Sequence, residues 1–403
     1  MPIDIKTEPG RTLAMLANQL ADPVRQKRLK RLEDWYHGDP ELPTLPPAAP
    51  ASVRDFHEHS VTNYALLICE AVRERQRVRG LRTSADDDAT GDGEAWALWN
   101  AARMPMVSAD VHRLKARFGE AYALVSPPAE DEPGVPIVTA ESPMNCIADL
   151  DPARPWIPRS GLKMQHDPTE GVSRAFLYRP GRLDVAEVET KSKVGARFSA
   201  SSWNWSDLSR DLPDGLMPLV PFEALDRRGE HEPHLKLLRR INFMILQQLT
   251  IATLQAFKQR AIKGVPAKDD KGNLIDYNDI FAADPGALWL LPATAEMWES
   301  GQVELSGLLT AVRDFTKQLS AASRTPMYMF DSGGENQSAE CAALADAGLI
   351  FKVRDRNSRD EHGWSRVVTT MYRWLSRPVE NVAVIWADPK LTSLSDRKST
   401  RLN

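Results

Sequence analysis

Two histidine clusters, His57-Glu58-His59 and His231-Glu232-Pro233-His234, and one acidic pair, Asp149 and Asp151, are the residues whose types and proximity suit metal or acid–base chemistry. Neither histidine cluster has the H-E-x-x-H spacing that sets two imidazoles on one helical face beside a general base, so surface or capping roles are expected. Asp149 and Asp151 could flank a divalent ion, but "ADLDP" beside a proline reads as a turn that ends a strand. Cys69, Cys146 and Cys341 contain no C-x-x-C pair, and such an odd, scattered set fits buried, reduced thiols. The sequence lacks a G-x-S-x-G elbow, a G-x-G-x-x-G after a strand and a G-x-x-x-x-G-K-[ST] phosphate loop. Residue chemistry thus points to no enzyme and no cofactor.

Two further stretches have distinctive chemistry without a catalytic pattern. "FDSGGENQ", Phe330, Asp331, Ser332, Gly333, Gly334, Glu335, Asn336 and Gln337, is an acidic, glycine-containing loop with no lysine, which argues against a phosphate cradle despite the helix that follows it. Lys258, Arg260, Lys263, Lys268 and Lys271 form a basic run, ordinarily a solvated face but a belt of positive charge if repeated around a symmetric assembly. The whole chain balances 51 basic against 55 acidic residues, a formal charge of −4, so it carries no global basic field for gripping DNA. Of eleven tryptophans, Trp96, Trp99, Trp364 and Trp374 sit at helical apolar positions and are expected in a core rather than stacked on bases. Trp203 and Trp205 are expected in a partly buried loop.

The elements that must hold these residues change character along the 403 positions. Thr12 to Tyr36 reads as a helix, "GDPELPTLPPAAP" breaks regular structure, and a second helix follows near Asn63 to Gln76. "ADDDATGDGE" reads as a solvated turn before a helix carrying Trp96 and Trp99, and "GEAYALVS" as a strand. From Val135 to Val188, "PIVTA", "CIADL", "GLKMQH" and "RAFLYR" alternate with turn residues, which predicts a mixed or antiparallel sheet and an α+β first half. The second half is dominated by helices. Pro233 to Arg260 keeps Leu238, Ile241, Ile245, Leu249, Ala252 and Ala256 on one face, and Glu304 to Ser323 returns after an excursion of short strands. Pro326 closes that helix, and another is expected from Ser338 to Leu375. No apolar run reaches the ~20 residues that span a bilayer, and the N-terminus has no basic-then-apolar signal, so a soluble, non-secreted protein is expected.

This order resembles the portal proteins of tailed bacteriophages, specifically the group common in phages and prophages of actinobacteria. The resemblance is carried by "WALWNAARM", "RFGEAYALVSP", "LVPFEALDRRGEHE", "RRINFMILQQLTIATLQAFKQRAIKG", "PGALWLLPATAEMWES", "RTPMYMFDSGGENQSAECA" and "IWADPKLTSLSD", which together span most of residues 96–396. It implies an α+β portal fold with these parts: a wing at 1–228, stem helix 1 at 229–263, a small α/β clip at 264–303, stem helix 2 at 304–326, a tunnel loop at 327–337, and the wing's long helix and return strand at 338–390. It implies a structural head-tail connector, a homo-oligomeric ring of twelve at a capsid vertex through which double-stranded DNA is packaged and ejected. Implied partners are the terminase large subunit, major capsid and scaffolding proteins, and head-tail adaptors, with no membrane. The protein would reside in the virion and, during assembly, in the host cytoplasm. The loop Phe330 to Gln337 would project beside DNA, where acids and amides suit contact with a polyanion without tight binding. Residues 391–403 depart from the family's usual continuation, so a truncated tail and a missing crown are expected. The competing readings are a head-tail adaptor or minor capsid protein, and a metal-dependent DNA-processing enzyme built on Asp149 and Asp151.

Overall fold

The computed structural model describes residues 1–42, 57–84, 91–191, 195–213, 215–256, 260–266, 268, 272, 296–299, 301, 304–331, 339–377 and 379–390. Its helices are α1 (Glu8–Leu20), α2 (Pro23–His37), α3 (Tyr64–Arg73), α4 (Gly93–Ala101), α5 (Met104–Phe118), α6 (Leu235–Ala256), α7 (Ser306–Ser323) and α8 (Ala339–Trp374). The expected single helix over Thr12 to Tyr36 is in fact two. Asp22 accepts hydrogen bonds from the Val24 and Arg25 amides and Pro23 occupies the first turn, so the chain starts a new helix there.

The chain divides into two compact units, one of Met1–Glu41, Asn63–Leu238 and Gln318–Asn403, the other of Leu42–Thr62 and Arg239–Lys317. In the first unit, β1 (Val78–Arg82) will pair with the last strand, while β2 (Glu120–Pro128), β3 (Pro136–Glu141), β4 (Cys146–Asp151), β5 (Arg154–Asp167), β6 (Val172–Arg179), β7 (Arg182–Glu189), β8 (Asn204–Trp205), β9 (Arg210–Asp211) and β10 (Leu219–Glu223) build two antiparallel sheets. The smaller has the order β10-β2-β3, and the larger runs β4-β5-β6-β7-β8 with β9 also on β7. The sheets expected between Val135 and Val188 are therefore antiparallel throughout their described ladders.

β2 shows how alternation sorts a strand between two cores. Ala121, Ala123 and Val125 face a core shared with Trp99, Met104, Val111 and Trp364, whereas Tyr122 and Leu124 face another with Cys146, Tyr178 and Leu219. A third core joins Leu13, Leu16 and Leu20 of α1 to Leu162, Leu177 and Trp203. Trp99 and Trp364 are fully buried, and Trp96 and Trp374 pack at the edge of the first core, as helical core positions require, whereas Trp203, expected in a partly buried loop, is fully buried in the third core. Gly119 ends α5 at φ +83°, where a Cβ would lie 2.3 Å from the Arg227 backbone, so this tight approach demands glycine.

In the second unit, the described part of α6 lies beside α7: the Arg240 guanidinium sits 5.1 Å from the centre of the Phe315 ring. Asn242 Oδ1 accepts from the Thr62 amide at 3.1 Å and from its hydroxyl at 3.0 Å. The helix expected to run from Pro233 to Arg260, and the stem assigned to 229–263, are shorter than expected. Glu232–His234 is a 3-10 turn, α6 ends at Ala256 where its apolar stripe ends, and β11 (Arg260–Lys263) pairs antiparallel with β12 (Glu296–Glu299). At 22 residues α6 is about 33 Å long. The final strand, β13 (Ala383–Trp386), pairs with β1. No helix among the described residues is long and apolar enough to cross a membrane.

Candidate functional site

Ser332, Gly333, Gly334, Glu335, Asn336 and Gln337 lie outside the described residues, while both roots of that loop are described. On the near side, α7 ends in a left-handed Arg324 at φ +55°. The Thr325 amide returns to the Ser320 carbonyl at 3.1 Å and the Arg324 amide to Ala321 at 3.4 Å, the paired bonds that close a helix C-terminus when the following residue is left-handed. Lys352 of α8 donates to the buried C-terminal carbonyl of Ser323 at 3.1 Å, placing a cation where the helix dipole is negative.

Pro326 then turns the chain into a 3-10 segment, Met327–Met329. The Tyr328 hydroxyl donates to Asp346 Oδ1 at 2.6 Å, and burial together with that bond pushes its pKa up to about 12. Phe330 packs edge-on against Tyr64, with ring centres 5.1 Å apart, so it belongs to the root of the loop. Tyr328→Phe is expected to cost about 1 kcal/mol and to speed amide hydrogen exchange over residues 327–331; unchanged exchange would show that the hydroxyl does not hold this root.

Beyond the far root, the body of α8 carries a stripe of residues with polar contacts at i, i+4 spacing. Glu230, nearly fully buried, accepts from Lys352 at 2.7 Å and from Arg356 Nε at 2.6 Å. Burial by itself would raise its pKa, but these two cations dominate and hold it at about 2. One turn on, Asp360 accepts from Lys115 and, at 3.1 Å, from Gln76, whose amide also donates to Asn357 at 3.3 Å. One turn further, Trp364 Nε1 donates to His112 Nε2 at 3.0 Å. That bond needs a lone pair on Nε2, so His112 is neutral here, in keeping with a pKa that burial lowers to about 4 against the pull of Asp360. Lys352 therefore joins the end of α7, the segment before α6 and the helix after the loop.

The histidine cluster at 231–234 has a structural role. His231 is buried with Nδ1 3.2 Å from Cys69 Sγ, and burial lowers the imidazole pKa to about 4 and raises that of the thiol. Cys146 is likewise buried and free. Glu232 binds Arg28 at 2.6 Å. Asp149 pairs with Arg159 at 2.9 Å and Asp151 with Arg154 at 3.0 Å, and no trio of metal-ligating side chains occurs among the described residues.

Of the basic run, Lys258 and Lys271 lie outside the described residues and Lys268 is exposed. Arg260 occupies β11 opposite Glu299, and Lys263 lies opposite Glu296 with its ammonium 3.9 Å from that carboxylate. The strand facing the run is thus acidic, which offsets part of its charge. Sequence reasoning missed Glu230, Lys352, Arg356 and Asp360, whose one signal was a polar i, i+4 row beside the buried Leu349, Val353 and Trp364.

No protein-family model matches the chain. It is 23% identical over 405 residues to the portal protein of Mycobacterium phage D29, covering 92% of this chain and 80% of that one, and 23% identical over 406 residues to the portal protein of Mycobacterium phage L5, with the same coverage. Among solved structures it is similar to a chain in the neck of an empty GTA particle computed with C6 symmetry (TM-score 0.44, 10% identity, 89% of this chain and 90% of that one). It is also similar to a chain in the neck of a native GTA particle computed with C12 symmetry (TM-score 0.45, 12% identity, 89% of each chain).

Proposed function

We propose that this chain is a portal protein, the structural head-tail connector of a tailed phage or prophage. One observation carries the proposal: a likeness to two mycobacteriophage portal proteins that extends over 92% of the chain, and so over the order of its elements rather than a single motif. The role is structural rather than catalytic. Identical subunits form a ring at the capsid vertex, and double-stranded DNA passes through it on packaging and ejection. The terminase large subunit, capsid and scaffolding proteins, and head-tail adaptors dock on it.

In this reading the first compact unit is the wing, α6 and α7 are the stem helices, and the loop between α7 and α8 faces the DNA. The neighbouring packing of α6 and α7 through Arg240 and Phe315 supports two stems side by side. The strand pair Arg260–Lys263 with Glu296–Glu299 supports a clip that begins before residue 264. Anchors on both roots, Tyr328 to Asp346 and Lys352 to Ser323, suit a loop that must stay in place while a duplex slides past it. The adaptor reading does not require paired long helices, and the ion pairs of Asp149 with Arg159 and Asp151 with Arg154 favour the structural reading over the enzyme one.

The experiment is the oligomeric mass of the purified protein by mass photometry, followed by end-on imaging. The expected result is a closed ring near twelve subunits with an opening wide enough for a duplex. A chain that remains monomeric both alone and with its scaffolding and capsid partners would overturn the proposal.

A further inference from the structure

Arg366 and the turn between β2 and β3 carry opposite charges, and among the described residues neither forms an ion pair. Arg366, on α8, is half-buried, and its guanidinium donates to the Trp156 carbonyl at 3.3 Å. Its pKa is lowered by burial alone, with no carboxylate acting on it. Trp156, at the start of β5, is 53% exposed and packs edge-on against His362, ring centres 6.3 Å apart. An exposed indole beside a poorly hydrated arginine is the composition of an interface anchor rather than of free surface.

The turn carries Glu130, Asp131 and Glu132, followed by Pro133 and Gly134, all exposed. None of the three carboxylates forms an ion pair with a described residue. The two sites cannot meet within one subunit. β2 runs in the same sense as α8: Ala121 pairs with Phe222, which packs on Trp364, while Val125 accepts from the Trp374 indole at 2.9 Å. From Val125 the strand continues past the end of α8 for about five residues, or ~16 Å, to the acidic turn. Arg366 lies about two turns, or ~12 Å, in the opposite direction.

We propose that the acidic turn of one subunit docks on the Trp156–Arg366 surface of the next, making this a head-to-tail contact of the ring. The inference rests on the ring reading above. A patch that binds a different patch on an identical neighbour is heterologous, and it closes into a ring when the rotation permits. His362 on α8 is the group that senses the charge of Arg366, its pKa lowered by burial and by that guanidinium, and burial alone lowers the pKa of Arg366, so an incoming carboxylate meets uncompensated positive charge.

The test uses the full chain under conditions where the unmodified protein assembles. Arg366→Glu and the triple change Glu130→Lys, Asp131→Lys, Glu132→Lys are each prepared alone and then mixed in equal amounts. Each alone sets like charges together at every contact, and the ring fraction in mass photometry should fall about tenfold or more. In the mixture every contact regains opposite signs by alternation, and the ring should return. The triple variant changes only exposed turn residues and should melt like the unmodified protein, so it carries the test even if Arg366→Glu misfolds. Rings formed by the triple variant alone at the unmodified level, or a well-folded mixture that does not restore them, would overturn the contact and leave the portal reading intact. If the unmodified chain forms no ring with its capsid partners, both fail together.

Discussion

Replacing Glu230 by glutamine should destabilise the first compact unit by roughly 3–5 kcal/mol at pH 7, because the buried Lys352 would be left without its anion while the half-buried Arg356 would keep only Asp355. The amide keeps the size of the side chain, so the loss measures charge and not volume. The same change should alter the response to acid. The carboxyl of Glu230 is held near pH 2 against an ordinary 4.5, so its contribution is present above pH 4.5 and is lost as pH falls from 4.5 through about 2. A displacement of that size corresponds to about 3 kcal/mol. Urea denaturation followed by tryptophan fluorescence at pH 7 and at pH 3 checks both points. The unmodified chain should lose stability between the two pH values, and the variant should lose less. Because Lys352 also holds the end of α7, faster hydrogen exchange at residues 323–331 is expected in the variant. Equal urea midpoints at pH 7 would mean that the two cations find other partners and that Glu230 is no anchor.

Trp364→Ala should cost about 3–5 kcal/mol, since its side chain is fully buried among Trp99, Phe222 and His112 and no neighbour can fill the space without moving a sheet. Here too the pH dependence separates packing from polarity. With its pKa lowered from 6.5 to about 4 by burial, His112 contributes stability that is present above pH 6.5 and is lost as pH falls through 4, again about 3 kcal/mol. A cavity that admits water should let the imidazole titrate nearer its ordinary value and so reduce the loss between pH 7 and pH 5. Trp364→Phe keeps most of the volume and removes only the N–H, and is expected to cost less, about 1 kcal/mol from the hydrogen bond together with a modest packing loss. A Phe variant as unstable as the Ala variant would show that the hydrogen bond to His112, and not the packing, dominates this site.

Much of the architecture was written in residue periodicity. The buried placement of Trp99 and Trp364, the strand at Glu120, the hairpins from Pro136 to Arg179 and the long helix after residue 338 all follow from apolar spacing, turn residues and caps, which act over a few positions and can be read locally. Where local signals conflicted, reading failed. Asp22 and Pro23 cut one expected helix in two, and Arg260 to Lys263 left the expected helix for a strand because its partner, Glu296 to Glu299, is supplied from over thirty residues away. The groups that fix the segments flanking residues 332–338 were not legible in the sequence. Tyr328 finds Asp346, and Lys352 finds both Ser323 and Glu230, only after α8 has docked. A buried charge is stable only with its opposite in contact, and that contact joins residues more than a hundred positions apart. Sequence alone thus determined most of the helices and strands and the acidic composition of residues 330–337, because those properties are local. Tertiary structure alone decided which charges are paired and buried, because pairing depends on distances that only the folded chain defines.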